Sequence, residues 1–522
     1  MTVTLIHGSP GSGKTHYLIE IIKKNMDKKW VYVTYSRSLM NDAKNRINII
    51  DEKEDEYGNN ENRDKHLIGT LHSLGYKLLG LKREDLYTNK MLLKFMNKNQ
   101  IELNLQDISK LENATDTYEL SVGAKIIMEF SVHRLAKREL MEINGYTDDI
   151  NYLYKEYKKD KGSKYDYTDI IEKIVKTKRY FADVDILLVD ECQDLSVLMF
   201  DMIDLWIDNA KDSYLTGDSD QCIYTYQGSN PNLFLKHKCD REEIMPKSYR
   251  LKENIYKESL KVIKKAQDYK EKHLSVEQGG KLIYTDYNIE DLRNIKETTF
   301  ILNRTNYINL MVRNKLIEYG IPFRPINIKH NYLNIWNEEV IAINNILYKI
   351  NNKSLEITSD EIMILLKYIR KQLLDKIKVS RLKIKIKKES VLKNSTHMYS
   401  AEDLLNCFVN KNITYKTILS SLYKIDDKYI KTIANHIELV NNRNCLIKDI
   451  NDIKLKIGTI HSVKGMEADT VIYNTDTTNK VIKGMFDSIN FFDNEIRLKY
   501  VAMTRAKKQL IITKFNYTTN DF

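Results

Sequence analysis

The sequence predicts an α/β fold with two parallel sheets flanked by helices, each half carrying a mainly helical insertion. Three observations predict it. A Gly-rich turn stands between a short apolar run and a helix-patterned stretch at the start; apolar runs recur between helix-patterned segments further on; and two long charged stretches interrupt that alternation. Apolar strands alternating with helices build doubly wound parallel sheets, whose ligands bind beyond the carboxyl ends of the strands.

Taken in order, residues 3–7 predict a short buried strand, followed by a turn and by a helix whose Leu18, Ile21 and Ile22 recur at helical spacing. Residues 30–35 predict a second strand. Residues 51–65 are acidic and Asn-rich and are expected to form a solvated surface loop. From about 78 to 160 the pattern is helical and charged. The apolar run 184–189 then predicts a strand that ends in two acidic residues. A second α/β region starts near 246, with strands expected at 299–302, 456–459, 471–473 and 510–513, and a Lys-rich helical insertion between about 327 and 450. No internal repeat of 20 to 50 residues is evident. The expected domains are therefore 1–77 with 160–245, an insertion at 78–159, a second sheet domain at 246–326 with 451–522, and an insertion at 327–450.

Bulk properties narrow the function classes. A chain of 522 residues, 42% hydrophobic, can form several cores, about three or four domains by length. The net charge of +11 fits a polyanionic partner without requiring one. Residues 1–7 lack the charged start of a signal peptide, and no later apolar stretch approaches a membrane span. A cytoplasmic location is expected, bacterial or, for a phage or viral chain, the host cytoplasm or nucleoid, with no membrane partner. Cys192, Cys222, Cys239, Cys407 and Cys445 show no paired spacing, so neither a disulfide framework nor a structural zinc site is expected.

The chemistry begins at Gly8-Ser-Pro-Gly11-Ser-Gly13-Lys14-Thr15, a P-loop pattern placed between a strand and a helix, as phosphate binding requires. Its glycines let backbone N–H groups curl around phosphates at a helix N-terminus, Lys14 can reach the outer phosphates, and the Thr15 hydroxyl can ligate Mg²⁺. Asp190 and Glu191, at the end of the 184–189 strand, supply the complement: Asp190 to hold Mg²⁺ and Glu191 to orient an attacking water. In the second insertion Arg381, Lys383, Lys385 and Lys387 alternate with Leu382, Ile384 and Ile386. On a strand this alternation would make one face wholly basic, either to bind duplex phosphates or to protect an exposed edge from aggregation.

These motifs and those that follow them resemble, in order, the UvrD/Rep branch of superfamily 1 helicases. Asp190-Glu-Cys-Gln-Asp194 resembles the DExQD box, and residues 215–228, Leu-Thr-Gly-Asp-Ser-Asp-Gln221-Cys-Ile-Tyr224-Thr-Tyr226-Gln-Gly, resemble the third motif. Thr34-Tyr-Ser-Arg37 and Gly69-Thr70-Leu-His72-Ser73 resemble the motifs after the P-loop. Ser248-Tyr249-Arg250, Ile301-Leu-Asn-Arg304-Thr-Asn306, Gly320-Ile-Pro-Phe323, Thr459-Ile-His461-Ser-Val-Lys464-Gly-Met-Glu467 and Tyr500-Val-Ala-Met-Thr504-Arg505-Ala506 complete the series.

The resemblance implies two RecA-like P-loop motor domains with ATP and Mg²⁺ in the cleft between them. It implies that Gln221, Arg250 and Arg505 approach the γ-phosphate, that Glu467 contacts the nucleotide sugar, and that Tyr249 stacks on the base opposite His16. The family usually has Arg where His16 stands, and Arg where Gln227 follows the stacking aromatic. Only seven residues precede Gly8, so no counterpart of the family's upstream adenine-reading glutamine motif is expected and the choice of base is left open. Thr70, His72, Thr459 and His461 would line a nucleic-acid backbone, with Tyr226 stacked on a base.

The expected activity is an ATP-dependent helicase that translocates on single-stranded DNA, 3′ to 5′ as the resemblance implies, and acts at junctions of single and double strands. Replication or repair proteins are expected partners, and a monomer is plausible. Two other functions stay open: a nucleotide-gated nucleic-acid remodeller or loader without processive unwinding, and a helicase acting on RNA. Retention of Gln221, Arg250, Glu467 and Arg505 favours the motor, because a simple switch needs fewer γ-phosphate sensors.

Overall fold

The computed structural model describes residues 1–47, 66–104, 108, 120–143, 145–271, 274–326, 335–351, 356–392, 398–410, 414–422, 427–441 and 450–515. The acidic loop expected at 51–65 lies outside the described residues. The chain divides into two compact units, one of Met1–Leu282 with Lys464–Glu467 and Thr478–Leu510, the other of Ile283–Val463 with Ala468–Thr477 and Ile511–Phe522.

In the first unit a six-stranded sheet is formed by β1 (Thr2–Gly8), β2 (Trp30–Thr34), β3 (His66–Thr70), β4 (Val184–Asp190), β5 (Ala210–Gly217) and β6 (Arg241–Met245), in the order β3-β2-β4-β5-β1-β6. Every pairing in it is parallel. Successive strand residues face opposite sides, and both sides are covered. Val3, Leu5, Leu187 and Val189 enter one core, and Ile6, Trp30, Ile186 and Leu188 the other. That is why β1, β2 and β4 read as apolar runs, whereas β6, at the sheet's edge, is charged and exposed. The register sets Thr34 level with Thr70 on one side and Asp190 on the other, so the carboxyl ends of β2, β3 and β4 finish together. A short parallel pair, β7 (Lys247–Lys252) and β8 (Ser275–Glu277), follows.

The first insertion has a core of its own, in which Phe95, Met96, Phe130, Leu153, Tyr154 and Tyr157 meet. It is stitched by charge. Arg134, on the helix Val122–Leu135, donates to Asp166 at 2.7 Å, Asp169 at 2.8 Å and Glu172 at 3.2 Å, while Lys161 reaches Asp166 at 2.9 Å and also Asp169. Burial alone would raise the Asp166 carboxyl, but Arg134 and then Lys161 outweigh it and hold it well below its usual range. A depressed native value means that this stabilisation is complete above the unfolded carboxylate range and is lost as pH falls below it. Replacing Arg134 by Met should cost about 1 to 3 kcal/mol, because it leaves partly buried carboxylates with only Lys161 to answer them. Urea unfolding of the variant at neutral pH checks this, and stability equal to the parent chain would refute it.

The remaining strands are β9 (Lys281–Tyr284), β10 (Thr299–Asn303), β11 (Arg324–Pro325), β12 (Glu356–Thr358), β13 (Met398–Ser400), β14 (Leu455–Thr459), β15 (Ala468–Asn474) and β16 (Ala506–Thr513). A second six-stranded sheet runs β11-β14-β10-β15-β16-β9, and β10, β11, β14 and β15 lie in the second unit. The pairings of β14 with β11 and β10, and of β10 with β15, are parallel. All seven stretches read as strands in the sequence are strands. The core of the second unit is continuous: Ile301, Ile457 and Ile472 from the sheet share one cluster with Trp336, Ile346, Leu365 and Phe408 of the insertion.

One expectation is overturned. Arg381 to Lys387 do not form a strand; they lie within the helix Lys376–Leu392. Leu382 and Ile386, one helical turn apart, are buried, whereas Ile384 is 53% exposed. Lys, Leu, Arg and Ile all tolerate helix, and the buried i,i+4 pair decides which period wins. At roughly 100° per residue the four cations fall on two flanks of the helix, so no single basic face and no protected edge exists.

Candidate functional site

The turn after β1 is shaped by its glycines. Gly11 and Gly13 have φ of +73° and +89°, a region that L side chains rarely adopt. A Cβ on Gly8 would meet Ser12 Oγ at 2.4 Å, and one on Gly11 would meet the Cβ of Arg250 at 2.4 Å. The loop is thus closed on itself and pressed against β7. Ser248 Oγ donates to Pro10 O at 2.7 Å and Tyr249 N to Gly11 O at 2.9 Å, which fixes the Ser248-Tyr249-Arg250 string to the loop. Gly13 caps the helix Lys14–Lys24, whose Leu18, Ile19 and Ile22 are buried against the sheet. Lys14 is buried and donates to Gly8 O at 2.6 Å.

Asp190 collects four donors at the end of β4. Thr15 Oγ1 and Tyr32 OH donate to Oδ2 at 2.6 and 2.8 Å, and Thr216 Oγ1 and Glu191 N to Oδ1 at 2.7 and 3.0 Å. Glu191 turns into the left-handed region, φ 60°, and its side chain accepts from Gln193. The two buried acids are driven apart. Burial, then the Glu191 charge, pushes Asp190 up; burial also opposes Glu191, but Lys14, Lys464 and Arg505 among others outweigh it and bring its carboxyl down. Glu191 is thus an acceptor at neutral pH, and Asp190, all four of whose contacts donate to it, is held as an acceptor as well.

Gln221 is held between two partners: its Nε2 donates to Asp218 at 2.7 Å, and its Oε1 accepts from Arg505. Arg505 is fully buried and also donates to Val501 O at 3.1 Å; burial, then the like charge of Arg250, lowers its guanidinium to about 9, still cationic at neutral pH. Arg250 Nε donates to Glu467 at 2.7 Å. His16 is exposed, as is Tyr249 at 76%, with the Lys247 ammonium 5.0 Å from the Tyr249 ring centroid.

The residues expected along a nucleic-acid strand fall into two similar turns. Gly69-Thr70-Leu-His72-Ser73 ends β3, and Ser73 Oγ donates to Thr70 O at 2.9 Å. Gly458-Thr459-Ile-His461-Ser462 ends β14 in the second unit, and Ser462 Oγ donates to Thr459 O at 2.6 Å. Thr70 caps its helix, while the buried Thr459 hydroxyl finds no hydrogen-bond partner among the described residues. His72 stands edge-on to Tyr167 at 5.7 Å and is lowered by burial to about 4, hence neutral at pH 7; His461 is buried. Tyr226 is partly buried, 6.4 Å from Tyr224, and packs against the core of the first insertion.

Sequence reasoning assigned no role to Tyr32, Thr216, Gln193, Asp218, Asp194 or Lys464. Lys464 donates to both carboxylate oxygens of Asp194 and to Gln221 O at 2.8 Å, and it lies over the Tyr224 ring. Burial pushes Asp194 up to about 7 although Lys464 pulls it down. Both residues stand inside quoted motif strings, but their partnership spans 270 positions and leaves no local signal.

The residues fit a divalent cation delivered with a nucleotide. Thr15 and Asp190 offer hard oxygen donors, whereas no group of three or more His, Cys, Asp or Glu suited to a metal occurs among the described residues. Magnesium is commonly held this way, by one or two protein oxygens with phosphates and water. Among the same residues no helix is long and apolar enough to cross a membrane.

Residues 1–242 match the UvrD/REP helicase N-terminal domain, and residues 327–517 match the UvrD-like helicase C-terminal domain. The chain is 24% identical to "ATP-dependent DNA helicase Rep" of Buchnera aphidicola subsp. Acyrthosiphon pisum, over 98% of this chain and 92% of that protein. It is 26% identical to the protein of the same name from Buchnera aphidicola subsp. Schizaphis graminum, over 98% and 90%. A "Probable DNA helicase II homolog" of Mycoplasma capricolum is 24% identical, over 100% and 82%. Among solved structures, the Arterivirus nonstructural protein 10 helicase aligns at 10% identity and a TM-score of 0.31, covering 99% of this chain and 60% of that one, a level that carries no argument. With both of its halves matched in order, the chain belongs to the UvrD/Rep-like superfamily 1 helicases and is a nucleotide-hydrolysing helicase enzyme.

Proposed function

We propose that this chain is an ATP-dependent DNA helicase that moves along single-stranded DNA, 3′ to 5′, and separates strands at junctions. The observation that carries the reading is the Thr15 hydroxyl on the Asp190 carboxylate at 2.6 Å, beside the buried Lys14. In this reading Lys14 and the loop N–H groups bind the phosphates, and Thr15 and Asp190 would hold Mg²⁺, which supplies charge neutralisation when bound. Glu191, ionised, accepts a proton from and orients the attacking water. Gln221, Arg250 and Arg505 face the charge that develops on the transferred phosphoryl group, Glu467 the sugar, and Tyr249 the base. Thr70, His72, Thr459 and His461 grip the strand backbone, as the unpartnered Thr459 hydroxyl supports. The relatives' names support the choice of ATP and DNA, and the family resemblance supports the direction.

The test is nucleotide hydrolysis with and without single strands, together with unwinding of 3′- and 5′-tailed DNA and RNA duplexes. DNA-stimulated hydrolysis with unwinding from a 3′ tail is expected. Stimulation without unwinding would favour a remodeller or loader, and a preference for RNA would reject the DNA assignment.

Tyr226 lies five residues beyond Gln221, so one short segment would join fuel to track. Stacking is worth on the order of 1 to 3 kcal/mol per base, enough to bias a step but small beside phosphate contacts. Tyr226→Ala should bind DNA and hydrolyse ATP at a substantial DNA-stimulated rate, yet translocate much less per ATP. Because the ring also packs on the insertion core, melting temperature must be followed on the same preparation. Proportional loss of stability, hydrolysis and translocation would mark a packing residue instead.

A further inference from the structure

The Lys464 ammonium stands where three of the motif strings meet. It donates to both Asp194 oxygens, at the end of the acidic string, and to the main-chain oxygen of Gln221 at 2.8 Å, and it lies 5.0 Å from the Tyr224 ring centroid. The Gln221 side chain faces Asp218 and Arg505, while Tyr224 stacks on Tyr35 at 5.4 Å and neighbours Tyr226. Ser229 Oγ closes the far end of the segment by donating to Asp194 O at 2.5 Å. The stretch from Gln221 to Ser229 is thus tied at both ends to the residue four positions after Asp190, and Lys464 makes the tie at the end that carries Gln221.

We propose that Lys464 is a positioning residue, which holds the Gln221–Tyr226 segment in register with the acidic string so that hydrolysis and strand grip act as one event. The inference rests on the proposed roles of Gln221 and Tyr226. A purely structural ion pair would need only Asp194 and Lys464 to satisfy each other. The added bond to the Gln221 oxygen and the cation–π contact with Tyr224 are what a positioning role requires, because they attach the cation to the segment itself.

Stability and function can be separated because a lone buried carboxylate, left by removing its cation, is destabilising on its own account. The experiment compares the full chain with Lys464→Ala, Lys464→Arg, Asp194→Asn and the double variant Lys464→Ala/Asp194→Asn. Melting temperature, KM for ATP, DNA-stimulated kcat and distance translocated per ATP are read for each. In the double variant the stranded charge is gone, so melting should recover most of what Lys464→Ala loses. Its KM for ATP should stay within about twofold of the parent chain, while kcat with DNA falls tenfold or more and translocation per ATP falls further. Lys464→Arg should restore part of the coupling, since a guanidinium can still reach two acceptors. Recovery of coupling together with melting in the double variant would overturn the proposal and leave a stability pair. Absence of DNA-stimulated hydrolysis in the parent chain would instead sink the motor reading, and this inference with it.

Discussion

Lys14→Ala is expected to reduce nucleotide hydrolysis by about 10² to 10³ with the fold intact. The ammonium is buried against the loop oxygen of Gly8, and the apolar contacts of its helix are made by Leu18, Ile19 and Ile22, which the substitution leaves in place. What is lost is the charge facing the phosphates in a site from which water is largely excluded, where one preorganised group is commonly worth about 10² to 10³ in rate. Among the cations around Glu191, Lys14 does most to bring its carboxyl down. Removing the lysine should therefore raise that carboxyl. Single-turnover hydrolysis with DNA, alongside a melting curve, checks both parts. Turnover within tenfold of the parent chain would reject the assigned site.

Arg505→Ala should keep nucleotide affinity and lose turnover by roughly 10³ or more, the range associated with an arginine that meets the transferring phosphoryl group. Its guanidinium is bound to Gln221 and to the main chain at Val501, so a Lys replacement could not reproduce the geometry and should rescue little. Arg505 is fully buried, and truncation leaves a cavity, so some fall in melting temperature is expected as well. The discriminating measurement is nucleotide affinity set against maximal rate. A large loss of affinity with an unchanged rate would mean that Arg505 serves binding and not the chemical step.

Much of the fold is legible in the sequence. Gly8 to Thr15, the acids closing β4 and the apolar runs of both sheets are local signals, written by the backbone demands of phosphate binding and by burial on two faces. Thr15, from the first of these signals, donates to Asp190, from the second. The helix Lys376–Leu392 was not legible, because a period of two and a period of 3.6 both pass through Leu382 and Ile386, and only burial of that pair chooses. Nor could the sequence show that Lys464 answers Asp194, or that Arg134 gathers three carboxylates from beyond its own helix, since such pairings are decided by packing. Motif order carries no information on which of these residues touch.

The Gly-Thr-x-His-Ser turn occurs at the end of a strand in each sheet, with the same serine-to-threonine backbone bond each time. Two copies of one small hook can serve a single ligand only where that ligand repeats itself. A base sequence does not repeat, whereas a sugar–phosphate chain presents the same group at every step. On the proposed reading, the duplicated turn makes the protein deliberately illiterate: it can hold any message because it grips the thread and ignores the lettering.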